Sequence, residues 1–246
     1  MSGDRFPQEA DATARTAFDL GARLHADGDV GGAERTYRCA IELARSSEDP
    51  LELEAGAKAA FELGLTLVDS ASNADIYSAY QVSVDLGRRS GTKEGLEAGA
   101  QAAYNLAAVS MESQATNNAV QAYLDALELG RLSQTKVGLE AGAAAAFNLG
   151  LLLEDTGDAD KAAGAYQYGV EMGRASGSEA GREAGAKAAF GLGLILGRIA
   201  DSDEAARAYR TSIELARLSN TAEGWEAGQK AANNLKLLAM DETSDD

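Results

Sequence analysis

The sequence has few of the residues that most often carry chemistry. One cysteine, Cys39, and one histidine, His25, occur in 246 residues. A single cysteine forms no disulfide within the chain, which is typical of a protein kept in a reducing compartment such as the cytoplasm. One histidine and one cysteine are too few for a zinc site of the usual composition, and neither lies in a known nucleophile motif. We therefore expect a non-enzymatic protein without metal or cofactor.

Proline and basic residues are also scarce. The two prolines leave no proline-rich linker, and we find no run of about 18 apolar residues that would predict a membrane-spanning helix. Lysine and arginine number 22 against 39 aspartates and glutamates, a formal net charge of −17. Nucleic acid and anionic lipid both require a basic face, which this balance disfavours. We expect a cytoplasmic chain with no nucleic-acid or membrane partner.

Glycine and alanine are abundant, and they recur with a fixed period. The triplet EAG begins at residues 54, 97, 140, 183 and 226, which are 43 residues apart. A period of roughly 20 to 50 residues is the signature of a solenoid of repeated supersecondary units. Two aromatic columns keep the same step: the first is Phe18, Phe61, Tyr104, Phe147 and Phe190, and the second is Tyr37, Tyr80, Tyr123, Tyr166 and Tyr209.

Each repeat is predicted to be a hairpin of two helices. In the fourth repeat Thr135 is a candidate N-cap, the turn is Thr156-Gly157-Asp158, and Gly177 is expected to end the second helix. In the second repeat Asp49-Pro50-Leu51-Glu52 reads as a capping box with proline at the first helical position, and Pro7 lies 43 residues earlier. The N-cap position recurs at Thr92, Ser178 and Thr221.

These signals predict the organisation of the whole chain. Glycines four residues apart, such as Gly181 and Gly185, would let helices of neighbouring repeats approach closely. Asn233 and Lys236 replace an aromatic and a small residue in the last helix, which is typical of a terminal cap facing water. We predict an N-terminal tail at 1–5, repeats at 6–48, 49–91, 92–134, 135–177 and 178–220, a capping helix at 221–240 and an acidic disordered tail at 241–246.

The fourth repeat carries the residues of a known motif. Leu149-Gly150, Gly157-Asp158, Ala162 and Ala165-Tyr166 have a spacing that resembles the tetratricopeptide repeat. The period of 43 residues exceeds the usual 34 or so of that family and is similar to long-period arrays of the kinesin light chain kind. The resemblance implies an all-α fold, namely an α-solenoid (right-handed superhelix) of antiparallel helix hairpins with five such repeats and a C-terminal capping helix.

The resemblance also implies a function and a site. Tetratricopeptide arrays are protein-interaction scaffolds that bind a peptide or helix of a partner in a concave groove lined by the first helix of each repeat. Transferred to this chain, the groove has apolar walls, a row of amides and lysines near one end. Its residues would be Lys58, Phe61, Glu62, Gln101, Tyr104, Asn105, Phe147, Asn148, Leu151, Lys187, Phe190, Leu194, Lys230 and Asn234.

Two aspects of this groove stay open at the level of sequence. The aromatic column either lines the groove or fills the hairpin core in place of the family's tryptophan. Asn148 and Lys187 match two positions of the family's clamp for a C-terminal carboxylate, but Tyr104 and Gly191 replace its basic residues, which argues against a clamp.

A second function is consistent with the same sequence. The repeats of a self-associating structural protein would mediate homo-oligomer assembly, and the N-terminal end is less clearly capped than the C-terminal one. A homodimer through the first two repeats is therefore an alternative to an adaptor that binds another protein.

Overall fold

The computed structural model describes residues 13–68, 71–199 and 201–242 of the chain. These residues form an all-α array of helix hairpins, which confirms the predicted α-solenoid class. The chain divides into two compact units between Ala115 and Thr116. The helices are α1 (Ala14–Ala26), α2 (Val30–Arg45), α3 (Pro50–Leu67), α4 (Asn73–Ser90), α5 (Lys93–Glu112), α6 (Thr116–Ser133), α7 (Lys136–Asp155), α8 (Ala159–Ser176), α9 (Glu179–Arg198), α10 (Ser202–Ser219) and α11 (Ala222–Glu242).

The ends of the chain differ from the predicted boundaries in one respect. The helix α11 continues to Glu242, so Asp241 and Glu242 are helical rather than part of the predicted tail at 241–246. The remainder of that tail, the predicted tail at 1–5 and Pro7 lie outside the described residues.

Short polar side chains start the helices where the sequence predicts them. The side chain at each predicted N-cap accepts a hydrogen bond from the amide three residues further on, at 2.9–3.1 Å. At the other end of α8, Gly177 adopts a left-handed conformation with φ 66°, which ends the helix. The N-caps are Thr92, Thr135, Ser178 and Thr221.

The start of α3 departs from the predicted capping box. Asp49 accepts from the amide of Leu51 at 2.8 Å, as an N-cap should. The carboxylate of Glu52 instead accepts from the backbone amide of Ala14 at 2.5 Å, at the start of α1. The first amides of a helix have no intrahelical acceptor and carry a partial positive charge, so a neighbouring carboxylate is favourable there. Glu52 therefore joins two hairpins instead of closing its own helix.

Glycine faces glycine where the second helix of one repeat crosses the first helix of the next. A Cβ atom on Gly173 in α8 would lie 2.5 Å from the carbonyl oxygen of Gly181 and 2.8 Å from the Cα of Gly185 in α9. The same contact occurs between Gly87 of α4 and Gly95 of α5, and between Gly130 of α6 and Gly138 of α7. The close approach predicted from the glycine pairs is thus confirmed.

The first helices form a layer within each unit. α3 packs against α1 and α5 in the N-terminal unit, and α9 packs against α7 and α11 in the C-terminal unit. The second helices α2, α4, α8 and α10 each pack against two successive first helices, the one before and the one after in the chain. The tyrosine column lies inside the hairpins, where no ring is more than 7% exposed. Gly150 is required by this packing, because a Cβ there would lie 2.3 Å from the ring of Tyr166.

The helices α7 and α11 differ in how apolar and how exposed their residues are. Among the described helices, α7 is long and apolar enough to cross a membrane by length and composition, with a mean hydropathy of 1.3. Its residues Ala143, Ala146 and Leu149 are buried within the C-terminal unit, and a buried core helix passes the same test of length and composition. On α11, Asn233 and Lys236 are exposed, as expected for a helix that ends an array.

Candidate functional site

All the predicted groove residues are solvent-accessible. Each is half-buried or exposed, and each lies on a first helix. Lys58, Phe61 and Glu62 lie on α3, and Gln101, Tyr104 and Asn105 lie on α5. The remaining residues belong to the C-terminal unit: Phe147, Asn148 and Leu151 on α7, Lys187, Phe190 and Leu194 on α9, and Lys230 and Asn234 on α11.

The aromatic column packs in the core and is also accessible on the face of the first helices. The ring centroid of Phe147 lies 6.2 Å from that of Tyr166, with an interplanar angle of 34°. Phe190 contacts Tyr209 in the same way at 6.1 Å. Both phenylalanines are half-buried. One side of each ring therefore packs inside its hairpin while the other side is accessible to solvent. The rings thus contribute to the core, and whether they also bind a partner stays a prediction.

A cavity in the C-terminal unit collects six of the predicted residues. It has a volume of about 400 Å³ and lies on the layer formed by α7, α9 and α11. Four apolar side chains and two lysines come from the predicted set: Phe147, Leu151, Lys187, Phe190, Leu194 and Lys230. Asn148 and Asn234 of the same unit are half-buried and lie outside this lining.

The groove lysines have partners on their own helices. Lys187 pairs with Glu183 at 2.5 Å and Lys230 pairs with Glu226 at 2.7 Å, each one helical turn away. Lys58 of the N-terminal unit pairs in the same way with Glu54, at 2.6 Å. The hydrogen bond from Lys230 lowers the pKa of Glu226. Each lysine thus carries its own counter-ion, so the expected basic end of the groove is electrostatically neutralised.

The predicted amides are partly engaged by the tyrosine column. The Asn234 side chain donates to the hydroxyl of Tyr209 at 3.2 Å, and the Asn105 side chain is hydrogen-bonded to Tyr80. Burial raises the pKa of Tyr80, and the bond from Asn105 partly offsets this rise. These amides therefore hold neighbouring hairpins together and are not free to bind a peptide with their full hydrogen-bonding capacity.

Glu62 takes the amide position in α3. Burial raises the pKa of its carboxyl group, and the charge of His25 acts in the opposite direction. The negative charge of Glu62 in turn adds to the effect of burial on Tyr37, whose pKa is raised to about 12. At this position the charge of Glu62 therefore acts on Tyr37, the buried tyrosine of the preceding hairpin.

The fifth repeat arranges this position differently. Gly191 stands where the other repeats have asparagine or an acidic residue, and a Cβ there would lie 2.6 Å from the ring of Tyr166. The hydroxyl of Tyr166 donates instead to Oε2 of Glu154 at 2.6 Å. The other oxygen of Glu154 accepts from Arg198. Burial first, and then the bond to Glu154, raise the pKa of Tyr166 well above its usual range.

Three of these residues line the cavity and were not among the predicted site residues. Tyr166 belongs to the buried tyrosine column, and Glu154 lies in the last turn of α7. Gly191 departs from the asparagine and acidic residues at the equivalent positions, and this departure is the signal in the sequence that marks the fifth repeat as different. The other lining residues outside the predicted set are Glu223, Glu226 and Ala227.

The rest of the described chain offers little for metal chemistry. Within residues 13–68, 71–199 and 201–242, no group of three histidine, cysteine or acidic side chains is placed to hold a metal ion. Cys39 is exposed on α2.

The buried tyrosines, the leucine-glycine pairs and the stacked hairpins define a helical-repeat fold of the tetratricopeptide type. No protein-family model and no curated protein matches the chain.

Among solved structures, the apo form of RapI is 17% identical over 91% of this chain and 63% of its own, with a TM-score of 0.56. BtubC (BKLC) from P. vanneervenii is 20% identical over 83% of this chain and 80% of its own, with a TM-score of 0.50. A putative kinesin light chain from Podosopora anserina with nearly identical TPR-like repeats is 13% identical over 82% and 93%, with a TM-score of 0.46. The chain spans less than two thirds of RapI, and the likeness to RapI and BtubC shows the fold.

Proposed function

We propose that the protein is a non-enzymatic interaction module that binds a peptide or helix of another protein on the face of its first helices. The observation that carries this proposal is the cavity formed by α7, α9 and α11. It combines half-buried aromatic rings with exposed leucine, the composition expected where a side chain of a partner becomes buried.

A matched pair of variants tests this proposal. Leu151 lines the cavity and Leu124 lies on α6, and both are 44% exposed. We expect Leu151→Asp to abolish capture of a partner from a lysate of the source cells, because a carboxylate would enter the apolar cavity. Leu124→Asp should retain the partner, since it introduces the same charge at the same exposure outside the cavity. Equal capture by both variants and the unchanged chain would contradict the proposal.

The second candidate function is self-association, for which one surface provides an argument. A furrow of about 790 Å³ lies along α6, α7 and α8, and its lining includes Leu124 and Tyr168, which are 44% and 48% exposed. If this face joined two copies, Leu124→Asp would convert a dimer to a monomer in light-scattering measurements while Leu151→Asp would not. A monomer at all concentrations would exclude the dimer.

The same proposal locates the protein in the cytoplasm and assigns it no nucleic-acid or membrane partner. A single exposed cysteine remains a thiol in a reducing compartment. A net charge of −17 repels phosphate backbones and anionic lipid headgroups.

A further inference from the structure

One repeat of the C-terminal unit lacks the side chain that covers the tyrosine hydroxyl elsewhere. Asn234 donates to Tyr209, but its counterpart Gly191 has no side chain to offer Tyr166. The backbone of Gly191 lies against the Tyr166 ring, which occupies the space where a side chain would begin, and both residues line the cavity together with Phe147 and Phe190. The Tyr166 hydroxyl therefore has no partner at this position and bonds Glu154 instead.

A carboxylate found at its position only in the fourth repeat lies at the cavity. The positions 43 residues before and after Glu154 hold Met111 and Gly197. The Glu154 side chain is 19% exposed, and it accepts from Tyr166 and from Arg198. The Arg198 side chain is 65% exposed. An ion pair with so exposed a partner contributes little to stability, so another cation can replace that partner at small cost.

The charges around the cavity favour a cation. Three glutamates and two lysines line it, and Lys187 is already neutralised by Glu183 while Lys230 is neutralised by Glu226. The chain as a whole carries a formal charge of −17, which attracts basic segments and repels acidic ones.

We propose that this cavity is a subsite for an arginine side chain of a partner peptide, which displaces Arg198 from Glu154. The planar guanidinium forms paired hydrogen bonds with a carboxylate and stacks on aromatic rings, both of which the cavity supplies through Glu154, Phe147 and Phe190. A bulky apolar residue next to the arginine packs against Leu151 and Leu194. This inference rests on the proposed peptide-binding function and specifies the chemistry of the partner.

A peptide library tests the inference directly. The probes are N-acetylated, C-amidated hexapeptides in which each position is fixed in turn as one of the natural amino acids. Blocked ends exclude recognition of a terminal charge. Binding is measured with the full chain at about 50 mM salt, where exposed charges are weakly screened. We expect the tightest pools to have arginine fixed beside an aromatic or branched aliphatic residue.

Three variants then separate the subsite from general electrostatic attraction. Glu154→Gln should weaken the best peptide by about tenfold or more, the effect of losing a charge-assisted hydrogen bond. Arg198→Ala should tighten it by up to about fivefold, because it removes a competing exposed ion pair. Asp155→Asn removes the same charge from the adjacent exposed residue, which does not line the cavity, and should leave affinity unchanged. Thermal unfolding of each variant by circular dichroism verifies that it is folded.

The outcomes distinguish this inference from the proposed function. Tight pools without arginine, or binding that is unaffected by Glu154→Gln, would leave peptide binding standing and overturn the arginine subsite. Equal weakening by Glu154→Gln and Asp155→Asn would also overturn it, since attraction would then be diffuse. If Arg198→Ala weakens binding, Arg198 supports the site and does not compete for it, and the proposed displacement is wrong. If no peptide pool binds above background, both the peptide-binding function and the arginine subsite are contradicted.

Discussion

The residue that follows the groove aromatic determines how each hairpin contacts the one before it. Asn105 and Asn234 are hydrogen-bonded to the buried tyrosines Tyr80 and Tyr209, and Glu62 acts on Tyr37 through its charge. A tyrosine hydroxyl inside a helical array requires a partner, because a buried unsatisfied hydroxyl loses its hydration without compensation. The same position thus supplies a partner for the tyrosine in some repeats, whereas Gly191 has no side chain to offer and Tyr166 bonds Glu154 instead.

The bond between Asn234 and Tyr209 predicts coupled stabilities. Asn234→Ala and Tyr209→Phe should each lower the free energy of unfolding by about 0.5–1.5 kcal/mol, the usual value of one hydrogen bond. The double variant should cost less than the sum, with a coupling of about 0.5 kcal/mol or more. Urea unfolding of the four proteins measures this cycle. Strictly additive costs would show that the two side chains stabilise the fold independently.

The carboxyl group of Glu62 predicts a pH-dependent effect on stability. Burial raises its pKa in the folded chain, so folding favours the protonated form. Its contribution is therefore most favourable below the ordinary glutamate pKa and is lost as the pH rises through the raised folded value. Glu62→Gln, which stays neutral, should raise the unfolding temperature at neutral pH.

In acid the unfolding temperature of Glu62→Gln should no longer exceed that of the unchanged chain, because the Glu62 carboxyl group is then protonated and neutral like the glutamine. Thermal unfolding of both proteins from neutral pH down to about pH 4 measures the difference. Glu48→Gln serves as the control, since Glu48 is exposed and the substitution makes the same change of charge. A gain that persists unchanged in acid would contradict the assignment to Glu62 ionisation.

At the scale of helices, glycine has opposite effects on the two sides of α8. Gly173 lies at the crossing with α9, where a Cβ would meet backbone atoms 2.5 and 2.8 Å away. Gly164 lies in the same helix, and a Cβ there would meet nothing within 4 Å. The intrinsic cost of a helical glycine, about 1 kcal/mol relative to alanine, is therefore offset only at the crossing.

Alanine substitution at these two positions should change stability in opposite directions. Gly173→Ala should lower the free energy of unfolding by about 1–3 kcal/mol, because backbone atoms of α8 and α9 must separate. Gly164→Ala should raise it by about 0.5–1 kcal/mol through helix propensity alone. Denaturant unfolding measures both effects. The comparison is valid if the free energy of unfolding depends on denaturant concentration with the same slope in both variants. Stabilisation by both substitutions would show that the crossing tolerates a wider separation.

At the scale of the whole molecule, the acidic surface affects stability through self-repulsion. The charge of −17 is spread over a chain whose described ion pairs mostly join exposed groups within one helix, and such pairs contribute little. Repulsion between like charges destabilises a compact state, and dissolved salt screens it.

The unfolding temperature should therefore rise with sodium chloride concentration. The increase should be largest between low salt and about 0.5 M, over which the screening length falls to a few ångströms. It should shrink on approach to the sequence isoelectric point of about 4.5, where the net charge is small. Scanning calorimetry over salt at two pH values measures both trends. A fall in unfolding temperature with salt would show that the exposed ion pairs outweigh the repulsion.

The sequence by itself determined the repeating features of this protein. The period of 43 residues, the N-caps at Thr92, Thr135 and Ser178 and the recurrence of the tyrosine column were all predictable. They depend on spacing within one hairpin, where helix geometry fixes which residues share a face. The sequence shows that an aromatic residue recurs at one position of each repeat. It does not show that these rings are half-buried, because that depends on how much of each ring the neighbouring side chains cover.

Only the tertiary structure decided which side chains pair with one another. Glu52 reaches Ala14 across 38 residues, and Glu154 reaches Arg198 across 44. A carboxylate can pair with any donor that packing brings within its reach, and that choice depends on the crossing of two helices rather than on the pattern of either one. The cavity beside Gly191 arises in the same way, because the packing of α7, α9 and α11 brings together side chains that are far apart in the sequence.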